Sequence, residues 1–277
     1  MNIKNDLGSI LDHIQSRTPV IAYNNAIAAL ESLLSDKPDP AKLSLMPGWG
    51  GLVKWLVPSN ELSDLDKDRS SNLRGLLEQN GLSLKEVAWL TTNAFDTSPH
   101  IARRLCDKLV SMGIGKSKTK ILFPACGTGI FALTFQHYHP DVYAKLEITA
   151  IDIDPIRCKI FSILNPNAVV ICRPFEEWAP TIADDRFHVT MDNVPFSDVK
   201  VDDRPLHCYF LKQMTRLTVS GGAIVYLTST GFLDSAGNLL FRQKQAQESD
   251  LVYLFPIPQN AHQGTGTAVD TLVFIKR

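Results

Sequence analysis

Residues 120–131, KILFPACGTGIF, constrain the fold more than any other stretch of the chain. Ile121, Leu122 and Phe123 read as a short buried strand that enters a tight turn at Gly127 and Gly129 and leaves it as a helix. Backbone without a Cβ approaches a ligand more closely than any other residue allows. A strand, a glycine turn and a helix N-terminus form the opening βα unit of a doubly wound sheet, whose ligands bind at the carboxyl ends of the strands. A GxG by itself is a loose signal. Residues 148–154, ITAIDID, strengthen it: an apolar strand ends in acids about 20 residues on, the spacing at which a carboxylate reaches a ribose hydroxyl pair. Asp152 closes that strand and is assigned to the crevice, on the expectation that Asp152 and Asp154 face opposite ways about Ile153; Asp154 suits a helix cap.

The βα alternation continues beyond the turn. Helices are expected over 130–138, 155–164 and 206–217, and apolar strands over 146–151, 168–172, 187–196, 223–228, 251–255 and 269–275. With the strand before the turn these give an α/β fold with a doubly wound, seven-stranded, mostly parallel sheet covered on both faces. At 277 residues, 44% hydrophobic and 21% charged, the chain suits one substantial domain and a smaller region. The division is placed at an N-terminal helical region, 1–92, and a sheet domain, 93–277.

In the N-terminal region Leu7, Ile10, Leu11 and Ile14 share one helical face, and Tyr23, Ile27, Leu30 and Leu34 share another. Two prolines in 36–42 break the second helix, residues 47–52 (PGWGGL) form an aromatic corner, and Ser83 with Glu86 forms a capping box. No chemistry is read there. In 93–99, NAFDTSP, Thr97 or Ser98 caps a helix opening with Pro99 that buries Ile101, Leu105, Leu109 and Met112 and ends at Gly113. Lys116, Lys118 and Lys120 read as a solvated loop.

Charge and cysteine usage narrow the classes. A formal net charge of −1 gives no global field for nucleic acid, so any such contact rests on a local patch or a partner. Five cysteines without a CxxC pair suggest neither a disulfide framework nor a zinc site, and no metal is expected. The start lacks a basic segment followed by an apolar core, and no run approaches about 18 apolar residues, so a soluble cytoplasmic protein is expected. Cys126 in the turn reads as a small residue and not a nucleophile, and His207 and Cys208 as helix packing.

The stretch 187–196, FHVTMDNVPF, carries the chemistry. An apolar strand ends in Asn193, Pro195 and Phe196 at the carboxyl edge of the sheet. An exocyclic amine is a poor nucleophile because its lone pair is delocalised. An Asn193 oxygen and a main-chain carbonyl near Val194 or Pro195, accepting both N–H bonds, favour a pyramidal nitrogen with its lone pair free for attack. Phe196 is placed to stack on the planar group that carries the amine.

The ordered set NAFDTSP, FPACGTG, AIDIDP and DNVPF resembles the amino-group methyltransferases that use S-adenosylmethionine. More closely, it is similar to adenine-N6 DNA methyltransferases, in the phage and plasmid branch whose signature reads Asn-Val-Pro-Phe. The likeness spans about 48–277 and includes GWGGL, LHCYFLKQM, GGAIVYLTSTGFLD and the closing segment. The resemblance implies that Thr97 contacts the methionine end of the cofactor, that Ala125, Gly127 and Gly129 form the turn beneath it, and that Asp152 holds the ribose. It implies further that Ile153 and Phe175 sandwich the cofactor's adenine, while Asn193, Pro195 and Phe196 hold the target base. Two positions depart from the pattern: Phe123 stands where the family places an acid for the cofactor's ammonium, and Pro174 where an acid often precedes the aromatic. No separate target-recognition region is read after the last strand, so recognition of DNA is expected from the N-terminal helices, from residues 197–204 or from a partner protein. Two alternatives stay open: the same chemistry on an RNA base or a glutamine amide, and a non-catalytic partner subunit with a methyltransferase fold.

Overall fold

The computed structural model describes residues 19–44, 63–81, 83, 97–195, 199–257 and 269–277. The chain divides into two compact units, Met1–Pro99 and His100–Arg277. In the first unit, α1 (Pro19–Leu34) is followed by α2 (Pro40–Ser44) and α3 (Asp64–Gln79). The buried seam of α1 holds Ala29, Leu30 and Leu33, whereas Leu34, expected in that seam, is 39% exposed. The prolines of 36–42 do not simply end a helix: Asp39 accepts the Ala41 N–H at 3.0 Å and starts α2. Ser63 caps α3 by accepting the Asp66 N–H at 3.2 Å, and Leu73 and Leu77 are its apolar anchors. The expected helix at 7–14, the corner at 47–52 and the Glu86 half of the capping box lie outside the described residues.

Helix α4 (Pro99–Ser111) begins at the unit boundary, buries Ile101, Leu105 and Leu109 as expected, leaves Met112 half-buried, and is followed by Gly113 with φ 99°. Then come β1 (Thr119–Phe123), α5 (Ile130–Tyr138), the short α6 (Pro140–Tyr143), β2 (Leu146–Asp152), α7 (Pro155–Leu164), β3 (Val169–Cys172) and the one-turn α8 (Phe175–Trp178). After β4 (Phe187–Asn193), the two-residue strands β5 (Lys200–Val201) and β6 (Arg204–Pro205) form a small ribbon leading into α9 (Leu206–Leu217). Next are β7 (Thr218–Ser229), α10 (Gly231–Asp234), α11 (Leu239–Glu248), β8 (Ser249–Ile257) and β9 (Val269–Lys276).

Seven strands make one sheet in the order β3-β2-β1-β4-β7-β9-β8, and β9 alone runs against the others. The alternation of β1 shows how one strand feeds two layers. Ile121 and Phe123 join Leu105, Phe131, Phe135 and Phe161 on one face, while Leu122 joins Phe210, Leu211, Ile224 and Tyr226 on the other. Coverage is incomplete at the edges: Val169 of β3 is 60% exposed, against the expectation of strands covered on both faces. The chain winds outward from β1 to β3, then returns to place β4 beside β1. This reversal opens a crevice at the carboxyl ends of β1 and β4, where doubly wound sheets bind ligands.

Candidate active site

The turn after β1 sits at that reversal and is held by its neighbours through main-chain amides. The Cys126 N–H donates to the Ile151 carbonyl of β2 at 2.8 Å, and the Gly129 N–H closes the turn on the Cys126 carbonyl at 3.0 Å. Gly127 (φ 54°) and Gly129 (φ 99°) adopt left-handed backbone, as the sequence requires of them. A Cβ on Gly129 would stand 2.9 Å from the Phe161 ring, so only glycine fits against α7.

Two carboxylates clamp the turn from either side. From the end of β2, the Asp152 Oδ2 accepts the Gly127 N–H at 2.8 Å and its Oδ1 accepts the Asp154 N–H at 2.9 Å. From the end of β4, one Asp192 oxygen accepts the Ala125 N–H in a short hydrogen bond, and the other accepts the Asn193 N–H at 2.8 Å. A carboxylate has about four acceptor positions, so Asp152, with two in use and 9% exposure, keeps capacity for two hydroxyl donors.

Asp152 serves the glycine turn and Asp154 the helix that follows it. The strand ends at Asp152, and two residues on the buried Asp154 caps α7. Its Oδ1 accepts the N–H groups of Ile156 and Arg157 at 2.8 and 3.2 Å. Burial pushes the Asp154 carboxyl up to about 6, against the opposing charge of Arg157, whose Nε lies 3.6 Å away. Arg157 is itself buried, and its guanidinium stands beside Gly127. The helix-cap role expected of Asp154 is present, while this buried cation beside the turn was not read from the sequence.

The remaining assigned residues separate into groups. Ile153 projects to solvent at 44% exposure, whereas Phe175 is 2% exposed, with its ring 4.7 Å from Phe210 and tilted against Trp178. α8 draws Phe175 into the apolar layer, where it packs against the core. Phe123 also belongs to the core, stacked on Phe131 at 6.3 Å and tilted against Phe161. Asn193 ends β4 half-buried, and the Val194 N–H is tied to the Leu227 carbonyl of β7 at 3.3 Å. Pro195 follows half-buried, and Phe196 lies outside the described residues. Thr97 is buried and belongs to the first unit.

Burial pushes the Cys126 thiol well up, with Asp152 adding to the effect, which is opposite to what a nucleophilic thiolate needs. His207 packs edge-on against Phe232, and the Cys208 Sγ approaches the Asn238 side chain, in keeping with helix packing. Asp192 is the site residue that sequence reasoning missed. Its signal was an acid at the last buried position of a strand, directly before the Asn193 signature.

No protein-family profile matches the chain. Among curated proteins it is similar to defense against restriction protein B of Escherichia phage P1, 23% identical over 180 residues. That match covers 61% of this chain and 8% of the phage protein, so the chain spans less than a tenth of its relative's length. Among solved structures, a Listeria monocytogenes protein assigned as a class I S-adenosylmethionine-dependent methyltransferase superposes with a TM-score of 0.59 at 15% identity. The superposition covers 99% of this chain and 87% of that one. A Vibrio vulnificus protein assigned as the modification subunit of a type I restriction enzyme gives 0.57 at 16% identity, over 87% of this chain and 58% of that one. The methyltransferase subunit of a type I restriction-modification system from Streptococcus thermophilus gives 0.57 at 11%, over 79% and 56% of the two chains. The fold is that of the class I methyltransferases.

Proposed function

We propose that the chain binds S-adenosylmethionine and transfers its methyl group to an exocyclic amine, N6 of adenine in DNA. The observation that carries this reading is the convergence, at one sheet reversal, of the left-handed glycine turn, Asp152 at the end of β2 and Asn193 at the end of β4. The restriction-modification subunits among its structural neighbours and the phage relative favour DNA as the substrate. The residues at the turn fit the cofactor: Asp152 has acceptor capacity for ribose hydroxyls, and Ile153 offers an exposed apolar face to the adenine ring. Phe175 is assigned to the other face of that ring.

When bound, the cofactor supplies an activated methyl on a sulfonium, so the protein needs no strong base. Asn193 accepts an N–H of the target amine and withdraws its lone pair from conjugation. Asn193 would hold that nitrogen towards the methyl group the cofactor would supply, and the proton the amine gives up would pass to solvent. Thr97 is assigned to the methionine end of the cofactor, and Pro195 and Phe196 to the target base. Target recognition is assigned to the helical region before residue 93, to residues 197–204 or to a partner protein.

Transfer of isotope-labelled methyl to unmethylated DNA, followed by nucleoside digestion, tests this reading. N6-methyladenine that disappears in Asn193→Ala supports it; label found only in RNA or protein would redirect it. The second reading, a non-catalytic partner subunit, is favoured by Phe123 and Phe175, whose rings are both committed to the core. Cofactor binding without any transfer, in the presence of DNA, would choose that reading.

A further inference from the structure

Asp192 has no part in the reaction as described, and its surroundings are in conflict. It is 2% exposed, and both its oxygens accept main-chain amides: Ala125 in the glycine turn and Asn193 at the end of its own strand. Two amide donors on two oxygens favour the ionised carboxylate. Burial and the neighbouring acid Asp152 favour the neutral acid. Asp152 faces it across the turn from β2 and Cys126 faces it from the turn itself, each adding negative charge or none. From β7 its register partner is Tyr226, whose phenol donates to the His207 carbonyl at 2.9 Å. The buried cation beside the turn, Arg157, pairs with Asp154. Burial pushes the Asp192 carboxyl well above the ordinary carboxylate range, the two amides oppose this, and Asp152 adds to it. Among the described residues, no cation pairs with this buried carboxylate.

Resting on the cofactor reading above, we infer that Asp192 is a positioning residue: it joins the cofactor turn to the amine-holding end of β4 and takes its counter-charge from the cationic cofactor. Binding of S-adenosylmethionine, with one net positive charge, then drives the proton from the Asp192 carboxyl to solvent. The resulting carboxylate grips the Ala125 and Asn193 amides together, so cofactor binding sets Asn193 for the incoming amine.

The test is calorimetric titration of the full chain, between about pH 6 and pH 8, in two buffers of different ionisation enthalpy. The probes are S-adenosylmethionine and 5′-methylthioadenosine, a neutral fragment that keeps the adenine and ribose. Wild-type protein is expected to release up to one proton on binding S-adenosylmethionine and none on binding the fragment, with affinity for the former rising with pH. In Asp192→Asn the release disappears, the pH dependence flattens, and affinity falls about tenfold for S-adenosylmethionine with less change for the fragment. In Asp154→Asn the release persists. Equal proton release with both ligands, or release that survives Asp192→Asn, overturns the inference; the wild-type comparison alone decides it if that variant does not fold. Fragment binding without ligand-dependent release sinks this role and leaves the cofactor reading standing. Binding of neither probe sinks both.

Discussion

The glycine turn is gripped by two carboxylates in the same way and in different surroundings. Asp152 and Asp192 each accept one turn amide and one local amide, that of Asp154 just past β2 and that of Asn193 at the end of β4. Asp152 comes from the outward side of the reversal and keeps 9% of its surface exposed, while Asp192 comes from the returning strand and keeps 2%. The same side-chain chemistry therefore serves two ends. A carboxylate with spare acceptor positions and access to solvent can take hydroxyls from outside the protein, whereas a buried one organises backbone and answers to charge.

The largest expected effect concerns the turn that both residues hold. Gly129→Ala puts a Cβ against Phe161 in left-handed backbone and is expected to cost about 3 kcal/mol of stability in urea unfolding. Gly127→Ala, whose Cβ would meet only the Arg157 guanidinium at 3.4 Å, is expected to cost about 1 kcal/mol. Equal losses would mean that Phe161 yields and that the turn is not wedged against α7.

Asp152→Ala is the direct comparison with Asp192. Losing two charge-assisted hydrogen bonds to ribose should weaken S-adenosylmethionine and 5′-methylthioadenosine alike, by about 100-fold in calorimetry. If it weakens only the cationic ligand, the two carboxylates have the same role and the contrast fails.

A smaller effect is the pH dependence of stability. The folded carboxyls of Asp154 and Asp192 are both raised above their unfolded values, so the folded state holds more protons than the unfolded one, and stability falls as pH rises. For Asp154 the fall is expected between about 4, its unfolded value, and about 6. Asp154→Asn should remove that part of the slope in urea titrations and leave the part that belongs to Asp192. A profile flat in wild type would place both carboxyls in the ordinary range. Least of all, Ile153→Ala should weaken cofactor binding about fivefold, through roughly 1 kcal/mol of apolar contact; an unchanged affinity would remove Ile153 from the site.

Much of this fold was legible because β–α alternation is local. Ile130–Tyr138, Pro155–Leu164 and Leu206–Leu217 begin and end where their apolar periodicity, prolines and caps predict. Elements without such patterns were missed. The ribbon Lys200–Val201 with Arg204–Pro205 has two residues on each side, and α11 buries only Gln245. Strand β7 begins at Thr218, five residues before the apolar run at Ala223, because Thr218 pairs with Phe187 across a register shift.

The candidate site divides in the same way. Left-handed glycines, a strand-end acid and an Asn-containing strand end are properties of short segments, and the sequence by itself determined them, together with the seven-strand count and the helix-cap role of Asp154. Which face a side chain serves depends on contacts between segments far apart in the chain. Only the tertiary structure decided that Phe175 would pack on Phe210, that Phe123 would enter the core with Phe131 and Phe161, and that Asp192 would reach across to Ala125. Burial and charge environment are sums over neighbours that come together only when the sheet reverses at β1 and β4.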